Sequence, residues 1–231
     1  MWTRLDVRWE FLTGLSAGVP ADPELQRKWL EARKPARRPP DSKSIDEIAA
    51  EVMGTTPVEL REDASLHIFQ RHQGHLVVGM RTIRAHIKDV ARVLSMLYVG
   101  KIEKEKSFAV KVANAVYYPP ELYYVPILNQ AGTLLTEPTG RRDKAIHVMT
   151  AMGPRSALKT MEYVTDAVLE FPLTLLTQPD RTVEGRVVPG KMVVSEADLR
   201  TIFTYGGTHG YGPERSDGEG RYAFSVTQKE G

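Results

Sequence analysis

The amino-acid sequence predicts an α+β protein built as a single domain over residues 1–231, and three patterns carry that expectation. Segments in which apolar and polar residues alternate, the period of a half-buried strand, recur near both ends of the chain and in its middle. Two longer segments place their apolar residues three and four apart, the spacing of an amphipathic helix. The chain also closes in the order helix, glycine-rich loop, strand, between Ser195 and Thr227.

The elements follow in order. Residues 2–13 read as a first strand carrying Trp2, Leu5, Val7, Trp9 and Phe11. Val19-Pro20-Ala21-Asp22-Pro23 then turns the chain into a helix over 23–33, with Asp22 as N-cap and Pro23 at the first helical position. Lys34–Ser44 (KPARRPPDSKS) is basic and proline-rich, holds too little apolar surface to order itself, and is expected to be a mobile loop. A short helix is expected over 45–53. Leu66–Arg71 and Leu76–Met80 flank His72-Gln73-Gly74-His75, the signature of a hairpin.

The helix expected over 82–98 carries a sharper signal. At 100° per residue, Ile83, Ile87, Val90, Leu94 and Leu97 point within about 40° of one direction. Arg81, Arg84, Lys88, Arg92 and Ser95 lie roughly 100° to 180° away, so the face opposite the apolar stripe is almost wholly basic. Such a face suits either plain solvation or a phosphate backbone. Beyond it, Phe108, Val110 and Val112 alternate with Ala109, Lys111 and Ala113 and predict a strand. Tyr117, Tyr118, Tyr123 and Tyr124 surround Pro119-Pro120, as two strands around a proline turn would. Tyrosines there serve a sheet core or stack on nucleobases.

Residues 129–163 form a basic insertion with Arg141, Arg142, Lys144, Arg155 and Lys159, flexible at Gly140 and Gly153. Pro154 restricts the backbone beside Arg155 and fixes its presentation. Val168–Leu176 reads as a central strand in which Pro172 calls for an edge position or a bulge. Residues 177–193 are polar turn material with room for a hairpin. In the closing helix Ser195 is an N-cap with Asp198 three residues on, and Leu199, Ile202 and Phe203 share one face. Gly206 sits where a left-handed C-cap would fall. Gly207, Gly210, Gly212, Gly218 and Gly220 follow, with Arg215 and Arg221 among them, before the strand of Tyr222, Phe224 and Val226. A dinucleotide-binding loop needs the reverse order, strand before glycines and helix after, and a P-loop needs a Gly-Lys-Ser/Thr ending. Neither is present, and no cofactor is expected.

The ending built from Gly206, Gly207, Gly210, Gly212, Arg215, Ser216, Gly218, Gly220, Arg221 and Tyr222 resembles that of the RAMP proteins of CRISPR systems. The chain also resembles small phage-encoded proteins with this ending, in its early Val19-to-Pro23 turn and its central Gly153-Pro154-Arg155. The resemblance implies an elaborated ferredoxin-like (RRM-like) β-α-β-β-α-β domain with insertions, a sheet with one face for binding, and an activity of binding or processing guide RNA. It also implies a basic helix after an early hairpin, and a loop or thumb within 129–163 that crosses the bound strand.

Composition narrows the rest. The chain has no cysteine, which excludes a disulfide framework and any cysteine-based metal site or nucleophile. A net charge of +2 is too small to announce a polyanion ligand by itself, so positive charge has to be clustered to hold one. No run of eighteen apolar residues exists and the N-terminus lacks signal-peptide character. A place in the cytoplasm, the host's if the protein is phage-encoded, is expected, with no membrane partner.

Among the histidines, His67, His72 and His75 lie around a hairpin without an acidic partner nearby in sequence, and no metal is assigned to them. His147, beside the basic insertion, and His209, in the glycine loop, are placed to act as general base on a ribose hydroxyl, the chemistry of metal-independent RAMP endoribonucleases. No recognisable catalytic constellation is present, so no residue is assigned as catalytic. Three classes stay open: a non-enzymatic binder of single-stranded RNA or DNA that self-associates along its ligand, a nuclease using His147 or His209, and a virion or assembly protein. For the binder the expected contacts are Arg84, Lys88, Arg92, Arg141, Arg142, Arg155, Lys159, Arg215 and Arg221.

Overall fold

The computed structural model describes residues 2–21, 66–97, 108–150, 153–176, 181–183, 186–188 and 194–229, and at 145–150, 153–158, 181–183 and 186–188 it describes backbone alone. The helices expected over 23–33 and 45–53 and the basic loop over 34–44 lie outside these residues. In chain order the first elements are β1 (Trp2–Phe11), β2 (Leu15–Ser16), β3 (Val19–Pro20), β4 (Leu66–Ile68), β5 (Gln70–His72), β6 (His75–Gly79), α1 (Met80–Leu97) and α2 (Phe108–Ala115). They are followed by β7 (Val116–Tyr117), β8 (Tyr124–Leu128), β9 (Gly140–Thr150), β10 (Gly153–Val164), β11 (Val168–Leu176), β12 (Arg181–Val183), β13 (Arg186–Val188), α3 (Glu196–His209) and β14 (Tyr222–Lys229). The protein belongs to the α+β class.

The main sheet runs β14-β1-β11-β8-β6-β5, with every neighbouring pair antiparallel and β7 added to β11. Its register follows from side-chain alternation, since a slip of one residue would turn each buried set outward. Trp9 lies opposite Leu169 on one side and Phe224 on the other, and Val7 opposite Phe171 and Val226. Leu5, Val7, Trp9 and Phe11 are buried, while Arg4 and Glu10 are exposed on the other face. The sequence reads as expected here.

The buried face of the sheet meets α1 and α3. Trp9 is fully buried and stacks on Tyr222 at 4.3 Å between ring centroids. Phe171, Phe203 and His86 pack edge-on around it at 4.9, 5.7 and 5.6 Å. Phe203 comes from α3 and His86 from α1, so one indole joins both helices to three strands. The face opposite α1 and α3 is polar at its middle, where Arg8 pairs with Glu10 at 2.7 Å and with Glu170, and Lys229 with Asp6 at 3.2 Å. Exposed Trp2 and Tyr117 meet edge-on at 4.7 Å at one end of the sheet.

A second sheet, β2-β10-β4-β3, carries β9 as the partner of β10 in a long hairpin. This hairpin is what the basic insertion becomes. β4 and β5 are consecutive strands in different sheets, so the segment expected as one strand is broken at Phe69. The turn between β5 and β6 holds Gln73 at φ 52° and Gly74 at φ 81°, the left-handed pair that a tight hairpin requires.

Three expectations need correction. Residues 108–115 are helical, because Phe108, Val112 and Ala115 fall on one helical face and are buried, while Val110 is left 55% exposed. The same residues fit both periods, and packing against α1 decides. Pro172 is neither at an edge nor in a bulge: it lies opposite Asp6 of β1, in an interior strand. On the far side β11 pairs with β8 at Val168–Leu169 and with β7 at Thr174–Leu175, and the proline sits in the gap, where its missing N–H breaks no rung. Finally, Gly206 does not end the last helix, which continues to His209 with Gly210 as its cap at φ 88°.

Candidate nucleic-acid interface

α1 begins where the Thr82 hydroxyl bonds the Gly79 carbonyl at 2.7 Å, and its stripe of Ile83, Ile87, Val90 and Leu94 is buried as expected. Leu97, expected in that stripe, is 68% exposed. Arg81, Arg84, Lys88 and Arg92 are all exposed on the opposite face. The positions 84, 88 and 92 recur every four residues, which places a cation about every 6 Å along the helix. Arg84 lies over the Tyr118 ring at 5.1 Å, and burial pushes the Tyr118 phenol well above its usual range despite the arginine. Lys88 makes no ion pair among the described residues.

His86, which sequence reasoning passed over, lies inside rather than on this face. Its ring bonds the Tyr222 hydroxyl at 3.1 Å, and burial, reinforced by Arg215 and His209, lowers its pKa to about 4. The imidazole is therefore neutral. Its helical position, three after Ile83 and four before Val90, marks it as core-facing, a signal available from spacing alone.

The glycine loop is a compact connection. Ser195 and Asp198 form a full capping box at the start of α3, with bonds of 3.1 and 2.8 Å. Gly207 faces β14 so closely that an added Cβ would lie 2.3 Å from the Tyr222 carbonyl oxygen. Past the helix, the Tyr211 N–H donates to the Gly220 carbonyl at 2.8 Å, the Gly220 N–H to Gly14 at 3.0 Å, and the Arg221 N–H to the Thr13 hydroxyl at 2.9 Å. Gly220 has φ 68°, and a Cβ there would overlap the Tyr211 backbone. The loop is thus stitched to itself and to the turn after β1. The Tyr211 hydroxyl bonds that of Thr82, and burial raises the Tyr211 pKa to about 12.

Acidic residues of this loop meet the basic hairpin. Arg142 pairs with Glu219 and bonds Ser16; Lys144 pairs with Glu214 and Asp217; Lys159 pairs with Glu214 at 2.9 Å. Burial pushes the Glu214 carboxyl up, but hydrogen bonds from Lys144 and Lys159 more than offset it and leave the group below its usual range. Lys144 is held above its usual range by Asp217 and Glu214. Arg141 reaches Glu162 at 3.9 Å, a carboxylate that is 1% exposed and accepts the Phe69 N–H at 3.0 Å. Burial raises the pKa of Glu162. On the other side of the loop Arg215 pairs with Asp89 at 3.2 Å, and Asp89 also holds Arg92 at 2.9 Å.

The predicted contacts therefore divide. Arg84, Lys88, Arg92 and Arg215 share the α1 side, whereas Arg142 and Lys159 are joined to loop carboxylates on the hairpin side. Arg155 lies in β10 opposite Val148, and Arg221 is exposed just before β14. Glu214, Asp217 and Glu219 partner these cations, and Glu214-Arg215-Ser216-Asp217-Gly218-Glu219, with three acidic residues to one arginine, is the local signal for them. His147 lies in β9 opposite Ser156, and His209 stacks on Tyr205 at 5.7 Å. Among the described residues no group of three or more histidine or acidic side chains is disposed to hold a metal, and no helix is long and apolar enough to cross a membrane.

Fold and site together define an α+β protein that presents a cationic helix face beside an ion-paired loop and hairpin. Compared with known proteins, the chain matches no family model and no curated protein.

Proposed function

We propose that the protein binds single-stranded RNA or DNA without cleaving it, using the cationic face of α1 as the principal phosphate contact. The single observation that carries this reading is the exposed series Arg84, Lys88 and Arg92, spaced for an extended backbone in a chain whose overall charge is nearly balanced. A RAMP-like, ferredoxin-like framework is part of the proposal. It is supported by the antiparallel order β14-β1-β11-β8, with α1 preceding β8 and α3 preceding β14, and by the glycine loop after the last helix. Self-association along the ligand and a role in the cytoplasm of a phage host or CRISPR-bearing cell complete it.

The test is a binding and cleavage gel with labelled single-stranded RNA, single-stranded DNA and duplex, with and without chelator. Retention of single strands without cleavage is expected, weakened similarly for unrelated sequences by alanine at Arg84, Lys88 and Arg92, since phosphate contacts carry no sequence information. With three contacts removed, the slope of log K against log salt should shrink by about 2. Cleavage lost in His147→Ala or His209→Ala would favour the nuclease instead. Absence of any binding would leave the virion or assembly role.

A further inference from the structure

The ion pairs between loop and hairpin are of two kinds. Glu214 is buried and shared by Lys144 and Lys159, whose side chain is 15% exposed. Breaking it would strand a lysine inside, so it works as an anchor. Asp217 is 51% exposed and Lys144 34%; Arg142 is 35% exposed, and Glu219, which also accepts from the Ser16 hydroxyl at 2.6 Å, is 17% exposed. Water reaches both partners of the Lys144–Asp217 pair and the Arg142 side of the other, and pairs open to water hold little net energy. The loop backbone does not depend on them, because Tyr211, Gly220 and Arg221 are fixed by main-chain and Thr13 bonds. Asp217 can therefore give up Lys144 by side-chain rotation alone, whereas Glu219 has also to leave the Ser16 hydroxyl to release Arg142.

A phosphodiester group has the charge of a carboxylate and presents similar acceptor oxygens, and a guanidinium or ammonium takes either. The contacts also run continuously from the helix to the hairpin, from Arg92 through Asp89 to Arg215, and from the adjacent Glu214 to Lys144. We infer that Arg142 and Lys144 form a second phosphate-contact site, filled in the free protein by the chain's own Glu219 and Asp217, which the phosphates of a polyanion displace. Its natural ligand rests on the nucleic-acid reading above. The arrangement keeps cations away from stray anions until a ligand already held on α1 presents phosphates at high local concentration.

The test compares the wild type with the double variant Asp217→Asn/Glu219→Gln. A control, Glu10→Gln/Glu170→Gln, makes the same change of net charge but frees Arg8 on the sheet face opposite α1 and α3. Probes are inorganic polyphosphate, an oligothymidylate and an oligouridylate, followed by calorimetry and fluorescence anisotropy. The double variant is expected to bind polyphosphate and oligonucleotides about threefold or more tighter than the control does. Its salt slope should steepen by roughly 0.7 for each cation released. No gain, a loss, or a gain equal to the control's overturns the site. Tighter polyphosphate binding with no oligonucleotide binding by any protein upholds the site and refutes the nucleic-acid reading. If the double variant melts early, Asp217→Asn alone, altering the more exposed carboxylate, carries the same expectation through Lys144.

Discussion

His86 makes the stability of this protein depend on pH in a defined direction. The ring is enclosed by Trp9, Tyr211 and Tyr222, with centroids 5.6, 5.4 and 5.9 Å away, and its pKa lies at about 4. The charged groups that bear on it are Arg215 and His209, which lower it further, and Asp89, which opposes them. In the unfolded chain the same histidine titrates near 6.5. Between those values only the unfolded state takes up the proton, so stability falls as pH falls through this window and is unaffected above it. At about 1.4 kcal/mol per unit over roughly 2.5 units, the loss approaches about 3 kcal/mol at pH 4. Glu162 acts oppositely: its raised pKa lets the folded state take up a proton first, so its contribution flattens the decline at the acid end. Urea denaturation at several pH values between about 7 and 4.5 measures the slope directly. His86→Gln retains a partner for the Tyr222 hydroxyl and does not titrate, so its slope over this window should be shallower by close to one proton. Equal slopes in the two proteins, or a wild-type stability that stays level between pH 7 and 5, would refute the account.

Two further outcomes follow from packing. Gly207→Ala drives a methyl group into the Tyr222 carbonyl, so α3 has to lift from β14; a loss of about 1–3 kcal/mol is expected in chemical denaturation, against little change for the exposed Thr208→Ala. Glu214→Gln leaves Lys159 without its carboxylate and should cost about 3 kcal/mol, whereas Asp217→Asn, half exposed, should lower the melting temperature little.

Much of this molecule was legible in its sequence, for local reasons. The β5–β6 hairpin needed left-handed residues at its tip and Gln73-Gly74 supplied them. The capping box of α3 formed because Ser195 and Asp198 stand three apart. The buried stripe and basic face of α1 are set by a 100° rotation per residue, and the alternation in β1 by the period of a strand. Each of these needs only neighbours in the chain.

What the tertiary structure alone decided depends on distant partners. Phe108–Ala115 fits two periods, and only α1 alongside makes it a helix. Pro172 is tolerated inside a sheet because the ladder beside it is interrupted, a fact that no local pattern holds. Gly206 and Gly207 serve close approach to Tyr222 rather than a turn. Above all, the cations of the hairpin were visible in sequence but their partners were not. Arg142 and Glu219 are 77 residues apart, Lys144 and Glu214 70. Charge is a property of a residue, whereas neutralisation is a property of a pair, and only the folded chain determines which pairs meet.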